Sequence, residues 1–395
     1  MKKKLLSILL AAAMVFGISF YAVAEEGVTD TEIHIGQWGP QTGPAAAWGS
    51  VARGTDAYFK MINDEGGING RKLVLHMFDD GYNPLKTKAG VKDLQENTGM
   101  FAWVSGVGSA TGLAVRDYLM EKKIPWVGPA AGNQVWVTPP SKYLFAVYPH
   151  YFIEAKALCN YGATKLGKKK FAIIYQNDAY GKEGLAGAQE EMGKLGMKLV
   201  EAVPVEVTDK DLNSHVMKLK QSEADVVLLW VMPSAAAGIM GTAAKMQFAP
   251  QWMSTSTCSD FPYMHAATKG LWTGLIAASF GEVPDSPNAL MQKYKKAHEK
   301  YAAKEERWGV FFYAGFGFVE PAVEALKRCG KDVTRERFVK EMEGLKNFKG
   351  ILGKVNYKPF NEKDPWSRQG TNEVFLVQCT ETGGYKQLTE WTKYE

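Results

Sequence analysis

Catalytic signatures are missing from this chain. There is no GxSxG elbow, no HExxH helix, no GxxxxGK[ST] phosphate loop and no DxDxDG calcium loop. Its six histidines, His34, His76, His150, His215, His265 and His298, are scattered singly, so none is paired with a nucleophile in the sequence. Four cysteines in 395 residues are too few for a disulfide-held mini-domain and lack metal-ligand spacing. Repeats and low-complexity segments are absent as well, which removes a repeat-built scaffold. These gaps disfavour an enzyme, a metal site and a cofactor, and leave binding as the expected role.

Long apolar runs are equally scarce. One extends from Leu5 to about Phe20, follows Lys2, Lys3 and Lys4, and leads to Ala22, Val23 and Ala24 just before Glu25. That order of basic start, apolar stretch and small-residue cleavage site is the pattern of an export leader, so residues 1–24 are expected to be a removed signal peptide. No later stretch reaches the roughly 18 consecutive apolar residues that a membrane helix needs. The first cysteine is Cys159, which leaves no cysteine for a lipid anchor at the leader's end. The expected location is the periplasm. Losing three lysines lowers the formal net charge from +5 to +2, too balanced for a nucleic-acid partner. Export permits disulfides, but Cys159, Cys258, Cys329 and Cys379 allow three complete pairings, and zero, one or two bridges remain open.

What is present is an α/β rhythm running twice. Strand-like runs are expected at residues 33–38, 72–78, 101–105, 126–127, 171–175, 198–205, 226–231, 252–254, 274–278 and 374–379. Helical stretches separate most of them, the pattern of largely parallel sheets flanked by helices. The length suits two domains. Residues 145–151 read as a break between units, because Pro149 cannot donate to a central ladder. Helices expected between residues 288 and 344, including one over 311–328, have no strands among them, so the chain is expected to return and cover its first sheet. The expected division is residues 27–147 plus 281–357 in one lobe, and 148–280 plus 358–395 in the other.

Candidate binding residues sit where strands end, which is where open α/β sheets place ligands. The loop from Gly39 to Gly49 carries Trp48 at a helix entrance, either a ring that stacks on a ligand or a staple in the core. After the third strand, Gly106 to Gly112 brings Ser109, Ala110 and Thr111 to a helix N-terminus. Hydroxyls, free amides and the helix dipole there suit a carboxylate, although either hydroxyl also serves as a cap. Gly128 to Asn133, containing Ala130, Ala131 and Gly132, leaves room over the fourth strand. In the second half Tyr180 opens a helix after a strand, and Asp260 follows another strand as either an N-cap or a partner for a ligand ammonium.

The run from Glu32 to Asp80, with its glycine-rich loop and its INDEGGINGRKL turn, is the richest segment of the chain. Together with GSATGLAVRDYLMEKKIPWVGPAA, FAIIYQNDAYGKEGL and ADVVLLW it resembles the periplasmic solute-binding proteins of ABC importers, in the leucine/isoleucine/valine-binding group. The resemblance implies a type I periplasmic-binding fold: two Rossmann-like lobes joined by three hinge crossovers, acting as a monomer that closes on a small carboxylate and delivers it to a membrane permease. It places Trp48, Ser109, Thr111 and Ala130 against the ligand from one lobe and Tyr180 from the other. Three departures stand out. Gly132 occupies a place usually held by a hydroxyl, Thr255, Ser256 and Thr257 stand where an acid is usual, and Met232 or Pro233 replaces an aromatic. The carboxylate half of the site is thus retained and the ammonium half weakened, so an aromatic or apolar acid competes with an amino acid as the ligand. A ligand-sensing subunit of a receptor and an exported α/β enzyme are the rival readings.

Overall fold

The computed structural model describes residues 25–393, so the expected leader lies outside the described residues. The first sheet is formed by β1 (Glu32–Gly39), β2 (Lys72–Asp79), β3 (Ala102–Val104), β4 (Trp126–Val127) and β5 (Leu144–Phe145). All pair in parallel, in the order β2-β1-β3-β4-β5. A second sheet begins with β6 (Phe171–Gln176), β7 (Leu199–Val205), β8 (Val226–Trp230), β9 (Gln251–Ser254) and β10 (Ile276–Ser279), again parallel between neighbours. Every residue of β8 is buried, as expected for a parallel strand covered on both faces.

Next come a hairpin of β11 (Phe348–Gly350) with β12 (Gly353–Val355), then β13 (Glu373–Cys379), β14 (Tyr385–Gln387) and β15 (Thr392–Lys393). Strand β13 joins the second sheet antiparallel to β10, and β14 and β15 pair with β13. The fold is thus two Rossmann-like lobes, and the chain passes between them three times: after β5, after β10 and before β13. The first and third passages run side by side. Gln369 donates to the Tyr148 carbonyl at 2.8 Å, and the His150 amide donates to Asn372 Oδ1 at 2.9 Å.

Between the second and third passages the helices return to the first lobe. Helices Ala289–Tyr301 and Val310–Gly317 pack on helix Ser50–Asp64, where Tyr58 meets the rings of Tyr294 and Phe316 at 5.6 and 5.2 Å. Thr55 Oγ1 donates to the Gly315 carbonyl at 3.1 Å. Backbones approach this closely because of two glycines: a Cβ on Gly54 would lie 2.0 Å from the Phe312 carbonyl oxygen, and one on Gly315 would lie 2.1 Å from that of Val51.

Several expected elements need adjustment. The helix expected over 311–328 is two, Val310–Gly317 and Glu320–Cys329, because Pro321 has no N–H to continue the ladder and occupies the first turn of the second. Phe145, expected within the break, still belongs to β5. Helix Phe261–Ala267 and strands β11, β12, β14 and β15 were not anticipated, since elements of two to seven residues carry too little periodicity to register. All four cysteines are free and buried, so among the described residues no bridge forms.

Candidate functional site

Loops at the carboxyl ends of strands from both sheets meet at one place. From the first lobe come Trp48 in the single turn Ala46–Gly49 after β1, Tyr82 after β2, Val107, Gly108 and Ser109 after β3, and Ala130 after β4. Tyr151 at the first passage, Tyr180 after β6, Met232 after β8 and Thr257 after β9 close the other side. Together they enclose space for no more than about one water molecule, about 10 Å³. The lobes therefore stand closed on each other, and none of these lining residues is charged.

Gly108 is required where it stands. Its φ is 106°, and a Cβ would strike the Tyr82 ring at 2.6 Å. That tight entry turns helix Ser109–Glu121 so that its first turn meets the cavity, with no side chain capping it. The Ser109 hydroxyl, 1% exposed, has no hydrogen-bond partner among the described residues. Thr111, by contrast, is satisfied, donating back to the Val107 and Gly108 carbonyls at 2.5 and 3.0 Å. A buried unpaired hydroxyl costs about 1–3 kcal/mol, which a ligand acceptor would offset. Beside it the free amides and positive end of the helix favour an anion.

The opposite wall is held by a polar network behind Thr257. The Trp48 indole N–H donates across the lobes to the Thr257 carbonyl at 3.0 Å, and Tyr180 shares a 2.6 Å bond with Thr257 Oγ1. One residue earlier, Ser256 is bound at 2.5 Å through its hydroxyl and 2.9 Å through its amide to the Glu154 carboxylate, which also accepts from Thr255 at 2.6 Å. Tyr148 completes the set through Ser256 Oγ at 2.7 Å. Burial pushes the Glu154 carboxyl up to about 7 despite these donors. A second cross-lobe contact lies nearby, where Glu183 accepts from the Gln134 amide at 2.9 and 3.0 Å, and burial raises its carboxyl to about 8.

Of the residues expected from sequence, Trp48, Ser109, Ala130, Tyr180 and Met232 come together around the cavity. Ala110, Thr111, Ala131, Gly132, Ser256 and Asp260 fall outside its lining. The Gly132 carbonyl accepts from the Tyr151 amide at 2.6 Å, and a Cβ there would lie 2.1 Å from the Pro149 carbonyl oxygen. Asp260 caps its own helix through Tyr263 N and also accepts from Phe311 N, both at 3.2 Å. Its carboxyl, raised to about 6 by burial, faces a separate outer cleft. Sequence reasoning passed over Tyr82 and Tyr151, and noted Val107 and Gly108 only within the segment Gly106 to Gly112 and Thr257 only as standing where an acid is usual. Tyr82, Val107, Gly108 and Thr257 were open to the strand-end rule already applied to their neighbours, while Tyr151 comes into place only through the interlobe passage.

A family model described as periplasmic binding protein matches residues 32–384. A Leu/Ile/Val-binding protein homologue from Brucella melitensis is 32% identical over 229 residues, which cover 57% of this chain and 59% of that relative. An amino acid binding protein from Pseudomonas aeruginosa is 28% identical over 96% of both chains. Among solved structures, a fatty acid ABC transporter substrate-binding protein from Thermomonospora curvata superposes with a TM-score of 0.82 at 24% identity, covering 94% of this chain and 95% of its own. That last likeness bears on the fold alone.

Proposed function

The chain belongs to the periplasmic binding protein family, and from that premise we propose that it captures a small carboxylate-bearing solute between its lobes and hands it to an ABC permease. It is a binding protein and not an enzyme, as its relatives are. The observation that carries the ligand class is the buried, unpartnered Ser109 hydroxyl at an uncapped helix start, inside a cavity that both lobes line. An anionic oxygen is the acceptor that this hydroxyl and the neighbouring amides lack. Relatives named for binding leucine, isoleucine and valine, or amino acids, are named for ligands that carry a carboxylate.

The lining supplies no acid for an ammonium group, and an ammonium held there without a partner would cost several kcal/mol. This favours an apolar or aromatic acid over an α-amino acid. Closure follows when the ligand touches both lobes and so binds the closed state more tightly than the open one. The lobes that move are taken as residues 27–147 plus 281–357 and residues 148–280 plus 358–395, in a monomer working in the periplasm.

A thermal-shift panel of branched-chain and aromatic amino acids, apolar and aromatic acids, and the amides of each tests the reading. At about 100 times its dissociation constant a true ligand stabilises by roughly 2.7 kcal/mol. Acids are expected to raise the melting temperature and their amides are not. Equal responses to an acid and its amide would remove the carboxylate from the proposal.

A further inference from the structure

Helix Val310–Gly317 belongs to the first lobe, where it packs on helix Ser50–Asp64. It begins after Gly309, which has no side chain to accept from its first turn. The acceptor comes from the second lobe. Asp260 Oδ2 accepts from the Phe311 amide at 3.2 Å, while Oδ1 accepts at 3.2 Å from the Tyr263 amide in the first turn of helix Phe261–Ala267. One carboxyl group thus caps a helix in each lobe. Burial raises it to about 6, so at pH 7.5 it is largely ionised, and an anion suits the positive end of both helices.

Gly309 fits this partner and has no other reason to be glycine. Its φ of −177° is extended backbone that any residue adopts. A Cβ there would meet Asp260 Oδ2 at 2.3 Å and Asp260 Cγ and Oδ1 at 2.9 Å, and these are its three nearest atoms. The missing side chain is therefore explained across the lobe boundary and not within the first lobe. Asp260, 5% exposed, could swing aside only by giving up the Phe311 or the Tyr263 amide.

Resting on the reading that the lobes close around a solute, we infer that Asp260 and the notch at Gly309 form the seat of the closed state. Asp260 is a positioning residue: it caps the first lobe's helix only when the lobes meet. Neither residue lines the inner cavity, so the seat governs how firmly the lobes stay together and not which solute is recognised.

The test is a double-mutant cycle on the whole protein at pH 7.5, comprising wild type, Gly309→Ala, Asp260→Ala and the two combined, each checked for a cooperative melt. Calorimetric titration uses leucine and 4-methylpentanoate, which has the same branched body without the ammonium. Gly309→Ala should weaken each probe that wild type binds by about tenfold or more, and by the same factor for both. In the Asp260→Ala background, where the obstructing carboxyl is gone, the same methyl should cost less than about threefold. Similar losses in both backgrounds, or no loss in either, would overturn the seat. Solution scattering without ligand provides a reading that needs no probe: Gly309→Ala should enlarge the radius of gyration of wild type and add nothing further in the Asp260→Ala background. If wild type binds neither probe, the carboxylate reading falls, and the scattering cycle alone decides the seat, which equal radii for wild type and Gly309→Ala would then overturn.

Discussion

The Trp48 indole nitrogen lies 3.0 Å from the Thr257 carbonyl oxygen, joining residues 209 positions apart and the two lobes to each other. The bond exists only when the lobes are together, so it contributes to closure and not to the fold of either lobe. Trp48→Phe keeps an aromatic ring against Phe311 and removes the donor, leaving a buried carbonyl unpaired at a cost of about 1–3 kcal/mol. Affinity for the carboxylate that raises the melting temperature most should fall about tenfold, since 1.4 kcal/mol is a factor of ten. Solution scattering of the ligand-free variant should show a larger radius of gyration. An unchanged radius together with unchanged affinity would remove the bond from the closing mechanism.

Ser109→Ala separates a ligand contact from a helix cap. A capping serine replaced by alanine costs about 1 kcal/mol of stability. Here the hydroxyl caps nothing and is buried without a partner, so its removal relieves an unsatisfied group. The melting temperature of the free protein should hold or rise slightly, while carboxylate affinity should fall by about ten- to a hundredfold, the loss of a charge-assisted bond of roughly 1.5–3 kcal/mol. A drop in melting temperature with no loss of affinity would make Ser109 a structural residue.

How much of this was legible in the sequence varies with the reach of the signal. Asp178 bonds the amides of Tyr180 and Gly181 two and three residues on, so the helix that presents Tyr180 is written locally. Gly108 and Ser109 follow a strand directly and obey the same rule. Asp260 was open between cap and ammonium partner, and its second hydrogen bond goes to Phe311, 51 residues away on the other lobe, where no spacing rule reaches. Thr257 lay within reach of the strand-end rule, though its bond to Trp48 comes from the other lobe, and Tyr151 takes its place only because the passage after β5 folds back over Gly132. The split at Pro321 was readable from the proline itself, but the apolar run over residues 310–319 that leads up to it favoured one helix.

Three buried glutamates set the pH dependence of stability above neutrality. Burial raises Glu154 to about 7 and Glu183 and Glu320 to about 8, against an ordinary value of 4.5. In the unfolded chain they ionise at the lower value, so the native state holds protons that the unfolded state has released. Their contribution is fully present below about pH 4.5 and is lost as pH rises through 7 and 8. His150, buried and lowered to about 4, acts in the opposite sense but below its ordinary 6.5. Between pH 6.5 and 8.5 the urea midpoint of wild type should therefore fall, and Glu154→Gln should fall less, most visibly near pH 7. A midpoint that stays flat or rises in wild type, or a glutamine variant with an identical slope, would contradict this account.

Gly54 and Gly193 make opposite predictions for the same change. Both lie in helices and lack a positive φ. A methyl at Gly193 meets nothing within 4 Å, so Gly193→Ala should stabilise by about 0.5–1 kcal/mol through the entropy that glycine otherwise loses. At Gly54 the same methyl would sit 2.0 Å from the Phe312 carbonyl oxygen, a backbone atom that cannot swing aside. Helix Val310–Gly317 would have to retreat from helix Ser50–Asp64, at a cost of about 1–3 kcal/mol or more for overpacking. Because Phe311 rides on that helix, its contact with Trp48 would loosen as well. Urea unfolding should move the two midpoints in opposite directions. If both alanines stabilise, the helices have room to separate, and the close backbone approach does not hold Phe311 in place.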